Sequence, residues 1–168
     1  MKTIDDFAAL HRADDPLVLF NVWDAGSAAA VAEAGAKAIA TGSLSLAGAQ
    51  GYDDGEGMPF AAVLESVRRI AATIDLPLTV DFETGYAEDE QELARNAAAL
   101  LDAGAIGCNL EDRLLDSAAL REPDAQARRI AAVSAQGLFV NARTDIFLGP
   151  LLAGAHPDRA ELVQAAVQ

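Results

Sequence analysis

The chain has 168 residues, with 26 Asp and Glu against 12 Lys and Arg, a formal net charge of −14. That charge opposes nucleic-acid backbones and anionic membrane surfaces, so neither is an expected partner. A hydrophobic content of 52 %, a single cysteine and the lack of any long uninterrupted apolar run argue against a disordered chain, an internal disulfide and a membrane span, and the expectation is a soluble cytoplasmic protein.

In chain order, a first helix is expected near Ile4 to His11, followed by a strand over Leu17 to Val22 and a helix over Ala25 to Glu33. A second strand, Ala38 to Gly42, leads into a Gly/Ser-rich connection from Thr41 to Met58 and a helix over Pro59 to Ile74. Strand Leu78 to Glu83, helix Glu88 to Ala103, strand Ile106 to Glu111, helix Asp124 to Ser134 and strand Leu138 to Arg143 follow, and a last helix begins near Asp158. Short β-rich runs alternating with longer runs of helical period predict an α/β fold with a parallel sheet and crossover helices. Ala34, Gly35, Ala36 and Ala103, Gly104, Ala105 each close a helix just before a strand, where glycine supplies the left-handed turn.

Polar residues collect at the carboxyl ends of these strands, where parallel α/β folds place their sites. Asp81 and Glu83, Asn109 and Glu111, and Asn141 and Arg143 form pairs two apart, and side chains two apart on a strand share a face roughly 6 to 7 Å from one another. Asp81, Glu83 and Glu111 repel one another unless a cation lies among them. Hard oxygen ligands without a His or Cys cluster indicate Mg²⁺ or Mn²⁺. Arg143 supplies a planar fork for a carboxylate or phosphoryl group; the structural alternative is an ion pair with Asp145 or Glu111. Backbone amides of Gly42, Ser43 and Leu44 suggest an anion-binding nest or an ordinary connection. Asp24 and Asp145 suit helix caps. The polar stretch from Asp112 to Pro123 reads as a lid or a surface loop, and Cys108 as a small buried hydrophobe.

Taken together, WDAGSA from Trp23, GSLS from Gly42, GYDDGEG from Gly51, DFETGY from Asp81, NLED from Asn109 and NARTD from Asn141 resemble the isocitrate lyase and phosphoenolpyruvate mutase superfamily, in order and spacing. The resemblance implies a (β/α)₈ TIM-type barrel that binds Mg²⁺ and a small anionic 2-oxo acid, and that makes or breaks a C–C or P–C bond through an enolate. It implies a metal shell of Asp54, Asp81, Glu83 and Glu111, and a substrate site of Trp23, Asp24, Gly42, Ser43, Leu44 and Arg143. Arg143, Asp54 and Glu111 are the residues it marks as catalytic. Glu83 stands where many relatives have aspartate.

Two departures narrow the expectation. The Lys, x, Cys, Gly lid segment of isocitrate and methylisocitrate lyases has no counterpart between Arg113 and Glu122, which speaks against those two activities. A complete barrel needs about 250 residues, whereas only about five βα units are legible in residues 1–168, read as one partial barrel domain ending inside the helix after strand five. A fragment, a truncated product or closure through a homo-oligomer each fits that count. The competing functional reading is a catalytically silent remnant or a self-associating scaffold. An aspartyl phosphatase acting through Asp81 is a weaker third. His11 and His156 are not candidate bases.

Overall fold

The computed structural model describes residues 3–117, 119–148 and 158–166. Five strands, β1 (Asn21–Val22), β2 (Ile39–Thr41), β3 (Leu78–Asp81), β4 (Gly107–Glu111) and β5 (Phe139–Arg143), lie in chain order in one wholly parallel sheet. Helix α1 (Ile4–Ala8) precedes them. The crossovers are α2 (Ala25–Glu33), α3 (Ser43–Gly48) with α4 (Phe60–Thr73), α5 (Glu90–Asp102) and α6 (Pro123–Ser134), and α7 (Arg159–Ala166) comes last. This is the α/β barrel pattern expected for the chain, carried through five of its strands.

Helical spacing determines which side chains meet the sheet. Val63, Val67 and Ile70 on α4 and Leu93, Ala97 and Leu100 on α5 recur four and then three residues apart, and all are buried. They pack with Ile39, Leu78, Val80, Leu110 and Leu138 in one core. Each large aliphatic side chain buried there contributes about 1.5–3 kcal/mol. Gly35 and Gly104, with φ of 94° and 105°, turn the chain from α2 and α5 toward the next strand, as their repeated context predicts.

The elements differ from expectation in four places. The first strand shrinks to two residues, because Val18 and Phe20 are 62 % and 57 % exposed and pairing with β2 begins only at Asn21↔Ala40. The connection after β2 contains the short helix α3, with Gly42 as its N-cap. Strand β3 stops at Asp81; Glu83 follows in the left-handed region at φ 50°. The segment after Glu111 doubles back on itself, with an antiparallel bridge between Arg113 and Leu120 and hydrogen bonds from the Leu114 amide to Ala119 O and from Arg121 to Asp112 O.

His11 is exposed but stacks on Phe139 at 4.8 Å, and Phe7 meets the same ring edge-on at 5.2 Å, tying α1 to β5. His156 lies outside the described residues. Among the described residues, no helix is long and apolar enough to cross a membrane.

Candidate active site

The parallel register sets the site. With Asp81 opposite Asn109, Asn109 opposite Asn141, and Glu111 opposite Arg143, the polar ends of β3, β4 and β5 stand side by side. Asn141 Nδ2 donates to Asn109 Oδ1 at 2.8 Å, and one step further Arg143 Nη1 meets Glu111 Oε1 at 2.6 Å. Above them opens a cavity of about 450 Å³, lined by five carboxylates (Asp54, Asp81, Glu83, Glu111 and Asp145), two arginines (Arg113 and Arg143), and Asn21, Trp23, Leu148 and the Gly42–Ser45 turn.

Most of the residues singled out in the sequence converge here: Trp23, Gly42, Ser43, Leu44, Asp54, Asp81, Glu83, Glu111 and Arg143 all line this cavity. Asp24 does not. Its carboxylate caps α2, accepting from Ser27 N at 2.7 Å, and the Ser27 hydroxyl lies 3.2 Å from the Asp24 amide. The Ser43 amide donates to Asp81 Oδ2 at 3.1 Å, so the start of α3 is tied to β3. The other oxygen, Asp81 Oδ1, is buried and has no hydrogen-bond partner. Cys108 is fully buried in β4, and burial pushes its thiol up to about 12, so it stays a neutral packing group.

Glu83 reaches the cavity differently from the way its spacing to Asp81 suggests. Its left-handed backbone turns the side chain into a clasp with the loop that carries Asp54. Glu83 Oε2 accepts from the Glu56 amide at 2.8 Å and Oε1 from the Tyr86 hydroxyl at 2.8 Å. Glu56 answers: its Oε1 accepts from the Thr84 amide, the Thr84 hydroxyl and the Tyr86 amide at 2.7–3.0 Å. Glu56, Glu83 and Tyr86 are the non-glycine residues with positive φ among the described residues, and all three belong to this clasp. Strained backbone held by such a network is typical of functional loops.

Sequence reasoning passed over Glu56, Arg129 and Gln126. Arg129, on α6, reaches beneath the loop after β3 and donates to Thr84 O, Ala87 O and Glu88 O at 2.6–2.8 Å. Gln126 Nε2 donates to Glu111 O at 3.0 Å. The two share the buried face of α6 with Val133, a pattern of polar residues at apolar positions that was open to notice.

Residues 7–168 match the family model described as phosphoenolpyruvate phosphomutase. The chain belongs to that family. A Mycobacterium tuberculosis protein of uncharacterised role is 30 % identical over 164 residues, covering 96 % of this chain and 60 % of its own length. The crystal structure of a Burkholderia cenocepacia J2315 protein provisionally named a phosphonomutase superposes with a TM-score of 0.90 at 47 % identity, covering 98 % of this chain and 68 % of that one. A phosphonopyruvate hydrolase, solved as a complex with oxalate and Mg²⁺, has the same fold at 22 % identity, with a TM-score of 0.80 over 97 % of this chain and 58 % of its own. The chain therefore spans about 60 % of the curated relative's length. Its family is one of lyases and mutases.

Electrostatics in the phosphomutase-family site are dominated by burial. Burial pushes the Glu111 carboxyl up to about 7; Arg143 pulls it back, but Asp145 and Asp81 add repulsion. Glu83 is also raised, again chiefly by burial, against the lowering effect of its Tyr86 and Glu56 bonds. For Arg143, burial works against the charge, and Glu111 and Asp145 outweigh it, so the guanidinium is held still more firmly protonated.

A group raised in the folded state favours folding below its unfolded value and loses that contribution as pH climbs through the folded one. In EDTA-treated protein, stability is therefore expected to fall between pH 4.5 and about 7, with Glu111 accounting for at most about 3 kcal/mol. Urea unfolding at pH 4.5 and pH 8 checks this. Glu111→Gln should flatten the difference, and an equally steep loss in that variant counts against Glu111 as its source.

Proposed function

We propose that this cavity carries out a Mg²⁺-dependent lyase or mutase reaction, making or breaking a C–C or P–C bond of a small 2-oxo carboxylate through an enolate. The observation that carries the reading is Asp81 Oδ1, a buried carboxylate oxygen without a partner on the cavity wall. An orphaned buried acceptor is costly, and a hard divalent cation satisfies it. Among the described residues, no three His, Cys, Asp or Glu groups form a ready-made ligand cluster. Mg²⁺, or Mn²⁺ in its place, does not require such a cluster, because Mg²⁺ commonly keeps several waters and takes only one or two carboxylates directly.

In this reading Asp81 is the direct ligand, with Glu111 and Asp54 holding the cation or its waters and Glu83 acting through the clasp. When bound, the cation supplies Lewis-acid polarisation of the 2-oxo group and stabilises negative charge on its oxygen. The chain's own groups do the rest. Arg143, fixed by Glu111 and by Asp145 Oδ1 at 3.0 Å, presents its remaining N–H groups to an anionic part of the substrate. Trp23 and the Gly42–Leu44 turn wall the opposite side. The Glu56–Glu83 clasp holds the Asp54 loop over the cavity and limits the access of water to a carbanionic species.

Oxalate, a planar dianion shaped like the enolate of a 2-oxo acid, is the probe. Calorimetric titration is expected to show oxalate binding in the presence of Mg²⁺ and none after EDTA treatment. Binding that is indifferent to Mg²⁺, or absent in both, sinks the proposal.

A further inference from the structure

Residues 53–55 are a run of backbone that nothing secures. Upstream, the Tyr52 amide donates to Ala47 O at 3.0 Å; downstream, the Glu56 amide donates to Glu83 Oε2 at 2.8 Å. Between them the amides of Asp53, Asp54 and Gly55 make no hydrogen bond among the described residues, and the exposed Asp54 carboxylate accepts none. Gly55 has φ of 76°, and apart from its chain neighbours a Cβ placed on it would find only Arg113 Nη2 within 4 Å, at 3.7 Å. Asp54–Gly55 is also the one Asp–Gly or Asn–Gly pair in the 168 residues.

We propose that Asp54 is a modification site, at which the chain rearranges to isoaspartate. The Gly55 nitrogen attacks Asp54 Cγ; the new C–N bond closes a five-membered succinimide, and a carboxyl oxygen leaves as water. Water then opens the ring at either carbonyl. Opening at Cγ restores aspartate, whereas opening at the main-chain carbonyl leaves the chain running through Cγ and frees the former main-chain carboxyl. One water leaves and one enters, so solvent is the only co-reactant and the mass is unchanged. The attack needs a nitrogen and a carboxyl that are committed to no other partner, and a following residue with no side chain to crowd the approach. Asp54 and Gly55 meet both conditions in a loop whose unbonded amides turn at little cost. Asp24 and Asp81 do not, since the first caps α2 and the second accepts from Ser43 N. Exposed Asp116, followed by Ser117, is the next most open pair, with a side chain in the way. The product lengthens the main chain by one methylene and shortens the carboxylate arm by one carbon, which draws the charge of Asp54 away from the cavity wall it now lines. The rearrangement is independent of the reaction proposed for the cavity.

The test holds the intact protein at neutral pH for days, measures isoaspartate by methyl labelling with an isoaspartyl methyltransferase, and places it by peptide mapping with electron-transfer fragmentation. Most of the label is expected on the peptide that carries Asp54, and that label should be lost in Asp54→Glu, whose longer arm would have to close a six-membered ring. Asp54→Asn reads the same backbone geometry through release of ammonia and is expected to convert sooner than the parent. The free peptide of residues 51–58 gives the rate of an unheld chain, and Asp54 in the folded protein is expected to convert at a comparable rate. An Asp54 that stays intact in the protein while the peptide converts overturns the proposal. So does label that stands chiefly on Asp116 or persists in Asp54→Glu, or an Asp54→Asn protein that keeps its amide.

Discussion

Arg129→Met is expected to destabilise the protein by about 3 kcal/mol, although Arg129 does not line the cavity. Arg129 is 3 % exposed, and burial lowers its pKa. It is held because three carbonyl oxygens, of Thr84, Ala87 and Glu88, converge on it. Methionine keeps much of the apolar stem and leaves the Thr84 and Ala87 carbonyls unpaired where water has little access, while Glu88, which is exposed, can turn to solvent. Relief from burying a charge offsets part of the loss, which keeps the figure below the upper range for breaking a buried ionic contact. The loop so loosened carries Thr84 and Tyr86, both bonded to Glu56, and Tyr86 is also bonded to Glu83. Oxalate affinity should fall with stability in this variant. Urea unfolding of Arg129→Met and Arg129→Lys measures the first effect. A loss below about 1 kcal/mol in both means the carbonyls find other partners, and the loop does not depend on α6.

The behaviour of Arg129 shows where the sequence was legible and where it was not. Strands β4 and β5 were readable because each is a short β-rich run, apolar at its start and polar at its finish, set between runs of helical period, and the parallel register then places Glu111 beside Arg143. The barrel-like order of the strands agrees with the reading, and Asp54, Asp81, Glu83 and Glu111 all line one cavity. Leu17 to Leu19 were misread because residue type proposes a strand, while hydrogen bonding requires a neighbour, and β2 reaches back only to the Phe20 carbonyl, which accepts from the Ala40 amide at 3.4 Å. Helix α3 escaped notice because six residues are too few to display a helical period.

Glu83 is the instructive case. Its spacing from Asp81 predicted two carboxylates on one strand face, yet the strand ends at Asp81 and Glu83 arrives through a left-handed turn. Its two oxygens are occupied by Tyr86 and by the Glu56 amide. No local pattern announces that Glu56, in a Gly-rich loop, bonds to residues about thirty positions away. Such contacts exist only once the loops after β2 and β3 have been brought together by the sheet. The same applies to Arg129, whose three acceptors are backbone atoms and leave no mark on the sequence beyond a charged residue at an apolar position of α6.

Asp81→Asn is expected to reduce Mg²⁺-dependent oxalate affinity by at least about 100-fold, beyond the 10- to 100-fold typical of groups that only support a ligand. The substitution is nearly isosteric. Its amide oxygen still accepts from Ser43 N, where Asp81 Oδ2 now sits at 3.1 Å, and the Thr41 hydroxyl still accepts from the backbone amide of residue 81 at 3.0 Å. What disappears is the negative charge on the buried oxygen that has no protein partner. Removing one of five cavity carboxylates also relieves repulsion on Glu111, so the metal-free variant should be no less stable than the parent. Weaker metal-dependent binding in a protein that melts no lower is hard to assign to misfolding. Calorimetry and thermal melting of parent and variant, each with Mg²⁺ and with EDTA, separate the two effects. Undiminished Mg²⁺-dependent binding would remove Asp81 from the cation's ligands and shift that role to Glu111 and Asp54.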